Sequence, residues 1–168
     1  MNKKGFTLIE VVMVIVLLGI IMPGIMFYFM QGVKESAIPQ RRTTAIFLAE
    51  ALMEEIRSKR WDEITAINST CSNATAPASL GPDAEARIGY DDIDDFKGLN
   101  NAPPQDSQGA SMGTYYPGFR QQATIIYVNP AALDTDALAR TCYKRIQADI
   151  TDTTSNETIS LVSLITYY

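Results

Sequence analysis

Residues 6–30 read FTLIEVVMVIVLLGIIMPGIMFYFM, an apolar run in which Glu10 carries the only charge. As a helix rising about 1.5 Å per residue, this run would reach about 37 Å, which exceeds the roughly 30 Å hydrocarbon core of a bilayer. Lys3 and Lys4 precede the run, and basic residues on that side favour a cytoplasmic N-terminus and export of the rest of the chain. The sequence therefore predicts a membrane-spanning helix over residues 6–30.

Glu10 is the feature that a simple membrane anchor does not explain. An unpaired carboxylate inside the bilayer costs at least about 2.5–3.5 kcal/mol, so it is expected to have a specific partner. A cleaved secretory signal does not account for the segment either, because the apolar run is too long for one and no small-residue cleavage pattern comes after it. Glu10 therefore has to be explained by an interaction with something other than lipid.

Residues 4–10, Lys-Gly-Phe-Thr-Leu-Ile-Glu, resemble the leader junction of type IV pilins and type II secretion pseudopilins. In that family a membrane peptidase cuts after the glycine on the cytoplasmic side and N-methylates the new first residue. The resemblance implies cleavage between Gly5 and Phe6, methylation of Phe6, and Glu10 as the fifth residue of the mature chain. It also implies three partners, which are the prepilin peptidase/methyltransferase, the inner membrane before assembly, and other pilin subunits bound through the N-terminal helix.

Cleavage of the leader would give Glu10 a partner. The cut creates a positive α-amino group on Phe6, and in a packed filament Glu10 of one subunit could neutralise that amine on a neighbour. A buried ion pair is costly to break from one side, so it favours one axial register of the packed helices over others. The pair is therefore expected to set the register of assembly.

Gly19, Pro23 and Gly24 form a weak segment in the middle of this helix. Proline in a helix interior removes one hydrogen bond and crowds the carbonyl four residues earlier, here that of Gly19. Membrane helices also tolerate Pro and Gly without unwinding, and both interpretations stay open. Members of the family often have their helix-breaking proline four residues further along, so the site of any unwinding is open as well.

The chain after residue 30 is polar but keeps a helical period. Pro39 is expected to mark a kink or the start of an amphipathic half-helix over residues 31–66. The apolar stripe of this half-helix is predicted to pack on a sheet, and a contact between subunits is the minority alternative. The stripe consists of Ala45, Leu48, Ala49, Leu52 and Ile56. Residues 48–60, LAEALMEEIRSKR, resemble the helix end of minor pilins of mannose-sensitive haemagglutinin (MSHA) type pili.

The C-terminal third alternates as β-strands do. One strand is predicted around Ala123–Tyr127, a second from Cys142 to Ile150 and a third from Ile159 to Ile165, with a hairpin turn at 152–156 between the last two. The segment YKRIQADITDTTSNETISLVSLITYY also resembles the last hairpin of the MSHA minor pilin group. The predicted fold is thus α+β, the type IV pilin fold, in which a helical stem with an apolar and an amphipathic half packs on a C-terminal antiparallel sheet. The predicted divisions are a leader (1–5), a membrane and filament-core helix (6–30), the amphipathic half-helix (31–66) and a globular head (67–168).

The two cysteines, Cys71 and Cys142, lie far apart without metal-binding spacing. In a reducing cytosol they would remain free thiols, whereas in an exported protein an isolated pair indicates one disulfide. Closing so long a loop would contribute roughly 3–4 kcal/mol by the chain-entropy estimate. Since the N-terminus indicates export, a disulfide between the loop after the helix and the sheet is expected.

Four carboxylates lie within five residues, and this run is the one candidate for metal chemistry. It consists of Asp91, Asp92, Asp94 and Asp95. Calcium takes several carboxylate oxygens, but EF-hand spacing fails because Phe96 stands where a third ligand should be. The alternative is a short turn whose Asp side chains accept backbone N–H bonds, with Ile93 and Phe96 beneath it. Calcium is the only cofactor that the sequence suggests.

Composition argues against several functional classes. The chain has no histidine, which removes the commonest general base and zinc ligand. No Ser/His, Cys/His or glycine-rich phosphate motif is present, so an enzyme is not expected. The net charge of −5 over 168 residues argues against a nucleic-acid partner, including the DNA of an uptake pilus.

The expected function is that of a minor type IV pilin, similar to the MSHA-type minor pilins and assembled into a pilus or its initiating tip complex. A role in adhesion or surface attachment fits such a subunit. Its expected location is the bacterial inner membrane, with the N-terminus cytoplasmic and the head periplasmic, and then the pilus at the cell surface. One alternative is a minor pseudopilin of a type II secretion system, and another, from a different class, is a membrane-anchored calcium-binding or adhesive module.

Overall fold

In the computed structural model, Gly5, residues 7–65 and residues 70–167 are described, with the side chains of 34–38 set aside. Helix α1 covers Leu8–Arg57. Short 3₁₀ turns and four strands come after it, and the strands are β1 (Asn100–Asn101), β2 (Phe119–Tyr127), β3 (Tyr143–Asp152) and β4 (Glu157–Thr166). The chain divides into two compact units, Met1–Arg41 and Arg42–Tyr168.

The first unit contains the apolar part of α1. The span Leu8–Val33 is long and apolar enough to cross a membrane, with a mean hydropathy of 2.7, and none of its most apolar window is buried. The helix is continuous through both Pro23 and Pro39. Pro39 therefore does not start a separate helix, and the predicted weakness at Gly19, Pro23 and Gly24 is not visible as a break in this subunit. Unwinding of that segment during assembly stays a prediction.

In the second unit α1 buries the predicted stripe. Ala45, Leu48 and Ala49 pack with Phe119 and Ile150 of the sheet. Leu52, Met53 and Ile56 pack with side chains from the middle of β2 and β3 and with the loop residues Ile93, Phe96 and Leu99. The expectation that the stripe forms core against a sheet is thus confirmed.

The sheet is antiparallel throughout, in the order β1-β2-β3-β4. Its register places Ala123 opposite Ala148 and Ala148 opposite Leu161, so the apolar members of three strands share one face. The β3–β4 turn contains Asn156 at φ 58°, a left-handed conformation that Asn tolerates better than most residues. The three predicted strands and their hairpin are confirmed, and with α1 they give the expected α+β fold.

Two features differ from the sequence prediction. The amphipathic half-helix was expected to reach residue 66, but α1 ends at Arg57. Just after the helix, the backbone of Arg60 is bonded to the aspartate run instead: its N–H donates to the Asp91 carbonyl at 3.2 Å, and its carbonyl accepts the N–H of Ile93 at 3.0 Å. The short strand β1 was not predicted, because two asparagines carry no apolar alternation, and β1 exists only through pairing with β2.

Candidate functional site

The leader junction lies at the edge of the described part of the chain. Gly5 is exposed, whereas Phe6, and with it the predicted methylation site, lies outside the described residues. Glu10 is in the first turn of α1, where its backbone N–H donates to the Thr7 carbonyl at 3.1 Å. Its side chain is exposed, and among the described residues no hydrogen bond or ion pair of the Glu10 carboxylate is seen. The pairing of this carboxylate with the Phe6 amine of a neighbouring subunit stays a prediction.

The helix around Glu10 is apolar on every side. Exposed side chains such as Leu8, Ile9, Met13 and Ile20 face different directions around the axis. A helix that is hydrophobic all round requires a nonpolar environment on all sides, either lipid or other helices. This surface is the one that membrane insertion and later helix packing can cover.

The aspartate run forms a turn held by its own carboxylates. Asp92 Oδ1 accepts the N–H groups of Asp94 (2.9 Å) and Asp95 (3.2 Å), and Asp92 Oδ2 accepts that of Glu63 (2.7 Å). Asp95 Oδ2 accepts the N–H groups of Asp91 (2.9 Å) and Asp92 (3.1 Å). Ile93 and Phe96 are buried beneath the turn, as expected of its structural interpretation.

The structure does not bring all four predicted calcium ligands together. Asp91 pairs with Arg60, and Asp94 points to Lys144. Carboxylate oxygens of Glu63, Asp91 and Asp92 do lie within 4.8 Å of one another. Glu63 was not predicted, since it is remote in sequence and carries no local signal. Calcium binding here stays a prediction.

Burial alters the acidity of this turn. Burial and the neighbouring negative charge of Asp94 raise the pKa of Asp92 to about 6. Burial also raises the pKa of Asp94, although the ammonium of Lys144 opposes the shift. Burial raises the pKa of Asp95 as well, although the two backbone N–H groups that donate to its carboxylate oppose this shift.

Lys144 is fully buried although it is charged, and it joins three parts of the head. Its Nζ donates to the Trp61 carbonyl at 2.7 Å, to Asp94 Oδ1 at 2.8 Å and to Asp62 Oδ2 at 3.4 Å. The same nitrogen lies 4.2 Å from the centroid of the Trp61 ring and 5.5 Å from that of Tyr127. Strand alternation placed Lys144 among the apolar positions of β3, but nothing local in the sequence identified its partners.

Asp62 is held in place by the backbone around it. Its Oδ2 accepts the N–H of Thr75 at 2.8 Å, while Tyr127 donates its hydroxyl to the Thr75 carbonyl at 2.9 Å. Burial alone would raise the pKa of Asp62, but the N–H bond from Thr75 and the charge of Lys144 outweigh it and leave the pKa below its ordinary value. The pKa of Asp62 thus shifts in the opposite direction to that of Asp94.

The predicted disulfide is present. Cys71 is bonded to Cys142 across 71 residues of sequence, with a Cα–Cα distance of 5.1 Å. Cys142 directly precedes β3, two residues before Lys144. The bond thus closes the loop after α1 onto the sheet beside the buried lysine.

A second ion pair joins the head loops to α1. Arg87 donates to Glu55 Oε2 at 2.7 Å and lies 4.5 Å from the centroid of the Phe96 ring. Burial lowers the pKa of Arg87 and raises that of Glu55, and the attraction between the two charges opposes both shifts. This pair fixes the loop before the aspartate turn against the helix.

Comparison with known proteins identifies the N-terminal segment. Residues 1–22 match the family model of the prokaryotic N-terminal methylation motif. No curated protein matches the chain, and no solved structure does. The matched region includes Gly5, Phe6 and Glu10, and the apolar helix behind it fits a protein anchored in the inner membrane. This methylation motif supports the interpretation of the chain as a type IV pilin-like or pseudopilin precursor.

Proposed function

We propose that this chain is a minor type IV pilin, similar to the MSHA-type minor pilins, and that it is assembled into a pilus or its initiating tip complex. It inserts in the inner membrane with a cytoplasmic N-terminus and a periplasmic head. The prepilin peptidase cuts between Gly5 and Phe6 and methylates Phe6, and the mature subunit then leaves the membrane for the pilus.

The observation that carries this proposal is the solvent exposure of the apolar helix behind the methylation motif. The Leu8–Val33 span has no buried residue in its most apolar window. Burial of apolar surface stabilises by about 25 cal/mol per Å², so a helix of this kind is stable only inside lipid or among other helices. Assembly exchanges the first environment for the second.

Function then arises from assembly rather than from turnover of a substrate. Apolar contacts between stems supply affinity, and pairing of Glu10 with the Phe6 amine of a neighbour supplies register. The head, tied by Cys71–Cys142, contacts other minor pilins or a surface, which is where an adhesive role would reside. We propose no catalytic activity, and calcium at the acidic turn is the one cofactor left to test.

Deletion of the protein tests the assignment and separates it from the nearest alternative. Loss of a minor pilin is expected to reduce surface pili while leaving the export of secreted enzymes unchanged. Loss of exported enzymes with normal pili would instead assign the chain to a type II secretion system. Complementation with the wild-type gene is the control for both readouts.

Mass spectrometry of the mature chain tests the processing step. The chain is expected to begin with N-methyl-Phe6 in cells that contain the peptidase and with Met1 in cells that lack it. A chain that begins with Met1 in both strains would contradict the proposal.

A further inference from the structure

The charged side chains around Lys144 are buried within the head. We call Asp62, Asp94 and Lys144 the Lys144 cluster. Lys144 Nζ lies 2.8 Å from Asp94 Oδ1 and 3.4 Å from Asp62 Oδ2, and all three side chains are at most 1% exposed. An amine, a carboxyl group and a second carboxylate are therefore held in contact where water is excluded.

These groups are the components of an amide condensation. The amine is a nucleophile, the Asp94 carboxyl carbon is an electrophile, and Asp62 can carry protons between them. We propose that Lys144 Nζ and Asp94 Cγ form an intramolecular isopeptide bond, with Asp62 as the proton carrier. Fixed contact makes the reaction unimolecular, and effective molarities of about 10⁵–10⁸ M are reached in well-oriented cases of this kind.

The reaction balances without any further reactant. Asp62 takes one proton from the Lys144 ammonium, and the free amine attacks Asp94 Cγ. The new N–C bond forms as the bond from Cγ to Oδ1 breaks. Oδ1 leaves as water and carries two of the three protons of the ammonium group. Asp62 delivers one of these two protons and so becomes a carboxylate again. No electrons are exchanged.

The surroundings fit the product as well as the reactants. The one proton left on the nitrogen can still be donated to the Trp61 carbonyl, now 2.7 Å from Nζ. Asp94 Oδ2 becomes the amide oxygen and is buried, and the side chain of Asp92 interacts with the same carboxyl group. Condensation also removes one positive and one negative charge from a site bounded by the rings of Trp61 and Tyr127, where buried charge is costly.

Asp62 is oriented for this role by groups outside the reaction. Its Oδ1 accepts the N–H of Ile64 at 3.0 Å, and its Oδ2, the oxygen nearest Lys144, accepts the N–H of Thr75 at 2.8 Å. Since the carboxylate cannot rotate away without losing these bonds, it stays within reach of the amine.

Intact-mass measurement of the full mature chain, purified in detergent and denatured, tests the proposal. The expected mass is lower than the mass of the disulfide-bonded, processed chain by one molecule of water. After reduction and proteolysis, fragment spectra should show the peptide with Asp94 joined to the peptide with Lys144. A mass without the loss of water overturns the proposal, and so does a water loss confined to a single peptide, as in a cyclic imide.

Variants assign the roles within the cluster. Asp94→Ala and Lys144→Met should each have the full mass calculated for the variant chain, without the loss of water. Asp134→Ala should keep the loss of water, because that side chain is 97% exposed. Asp62→Asn should slow the appearance of the cross-link in newly made protein, and an unchanged rate would exclude Asp62 as proton carrier. The fragment spectra of the wild-type chain show whether the cross-link exists, so the proposal can be tested even if a variant fails to fold.

Discussion

Glu10 and Lys144 are both charged side chains among apolar residues, and they differ in where their compensating charge lies. Lys144 has the carboxylates of Asp62 and Asp94 within its own head. For Glu10 the described part of the subunit offers no such group. The charge of Lys144 is therefore compensated within the fold, whereas the pairing of Glu10 during assembly stays a prediction.

Glu10→Ala is expected to impair incorporation into filaments while leaving membrane insertion intact. Removal of one member of a buried ion pair costs about 3–5 kcal/mol, because the other charge, here the Phe6 amine, stays buried without a partner. The measurement is the ratio of sheared surface protein to membrane-bound protein.

Glu50→Ala is the matched control, since Glu50 is an exposed acid on the same helix but in the second unit. It should assemble as the wild type does. Wild-type incorporation of Glu10→Ala would contradict the proposed ion pair.

Asp92 should make the stability of the head depend on pH. Its pKa is about 6 when folded, against an ordinary 3.8, so the folded state binds more protons between these values. The free energy of unfolding should therefore fall as the pH rises from about 4 to 6, by about 3 kcal/mol at most.

Asp92→Asn should flatten this dependence, because the amide does not titrate. Denaturant unfolding at several pH values, with Asp134→Asn as control, measures the slope. Part of the slope should persist, since burial also raises the pKa of Asp95. An unchanged slope in Asp92→Asn would show that Asp92 titrates normally in the folded protein.

At the scale of elements, α1 is one continuous helix whose two parts bury different surfaces. Residues 8–33 are exposed on all sides, while from Ala45 to Ile56 only one stripe is buried. The exposed residues in that second part include Ile46 and Phe47. Stability of the head therefore depends on the stripe and not on the apolar content of the helix as a whole.

Ile56→Ala and Ile46→Ala form a matched pair that tests this distinction. Ile56 is 0% exposed and Ile46 is 37% exposed. Ile56→Ala should lower the free energy of unfolding by about 2–5 kcal/mol, since it leaves a cavity against the sheet. Ile46→Ala should change it by no more than about 0.5 kcal/mol, as is usual for surface positions. Equal losses in denaturant unfolding would contradict the observed packing.

At the scale of the whole molecule, the disulfide joins two distant parts of the chain within the head. Cys71 and Cys142 are separated by 71 residues, so the bond restricts the unfolded chain considerably. Cys71→Ser, Cys142→Ser and the double variant should each lose about 3–4 kcal/mol of stability. Denaturant unfolding of the wild type with and without reductant provides the control. Equal stability of the oxidised and reduced forms would contradict the prediction.

Much of this architecture was predictable because it depends on local periodicity. The 3.6-residue period identified the stripe on α1, and two-residue alternation identified β2, β3 and β4. The structural interpretation of the aspartate turn was predictable too, since Asp92 and Asp95 accept N–H groups a few residues away. What failed was set by remote contacts, namely the end of α1 at Arg57, the strand β1 and the approach of Glu63 to Asp91.

The leader junction, the apolar helix and the place of Glu10 within it can be read from the sequence, because a processing enzyme and a bilayer respond to local order and composition. Which carboxylates meet Lys144 depends on the tertiary structure. Asp62, Asp94 and Lys144 become neighbours through the packing of a helix end, a turn and a strand that are far apart along the chain. A buried ammonium requires such partners, yet no local pattern specifies which residues they are.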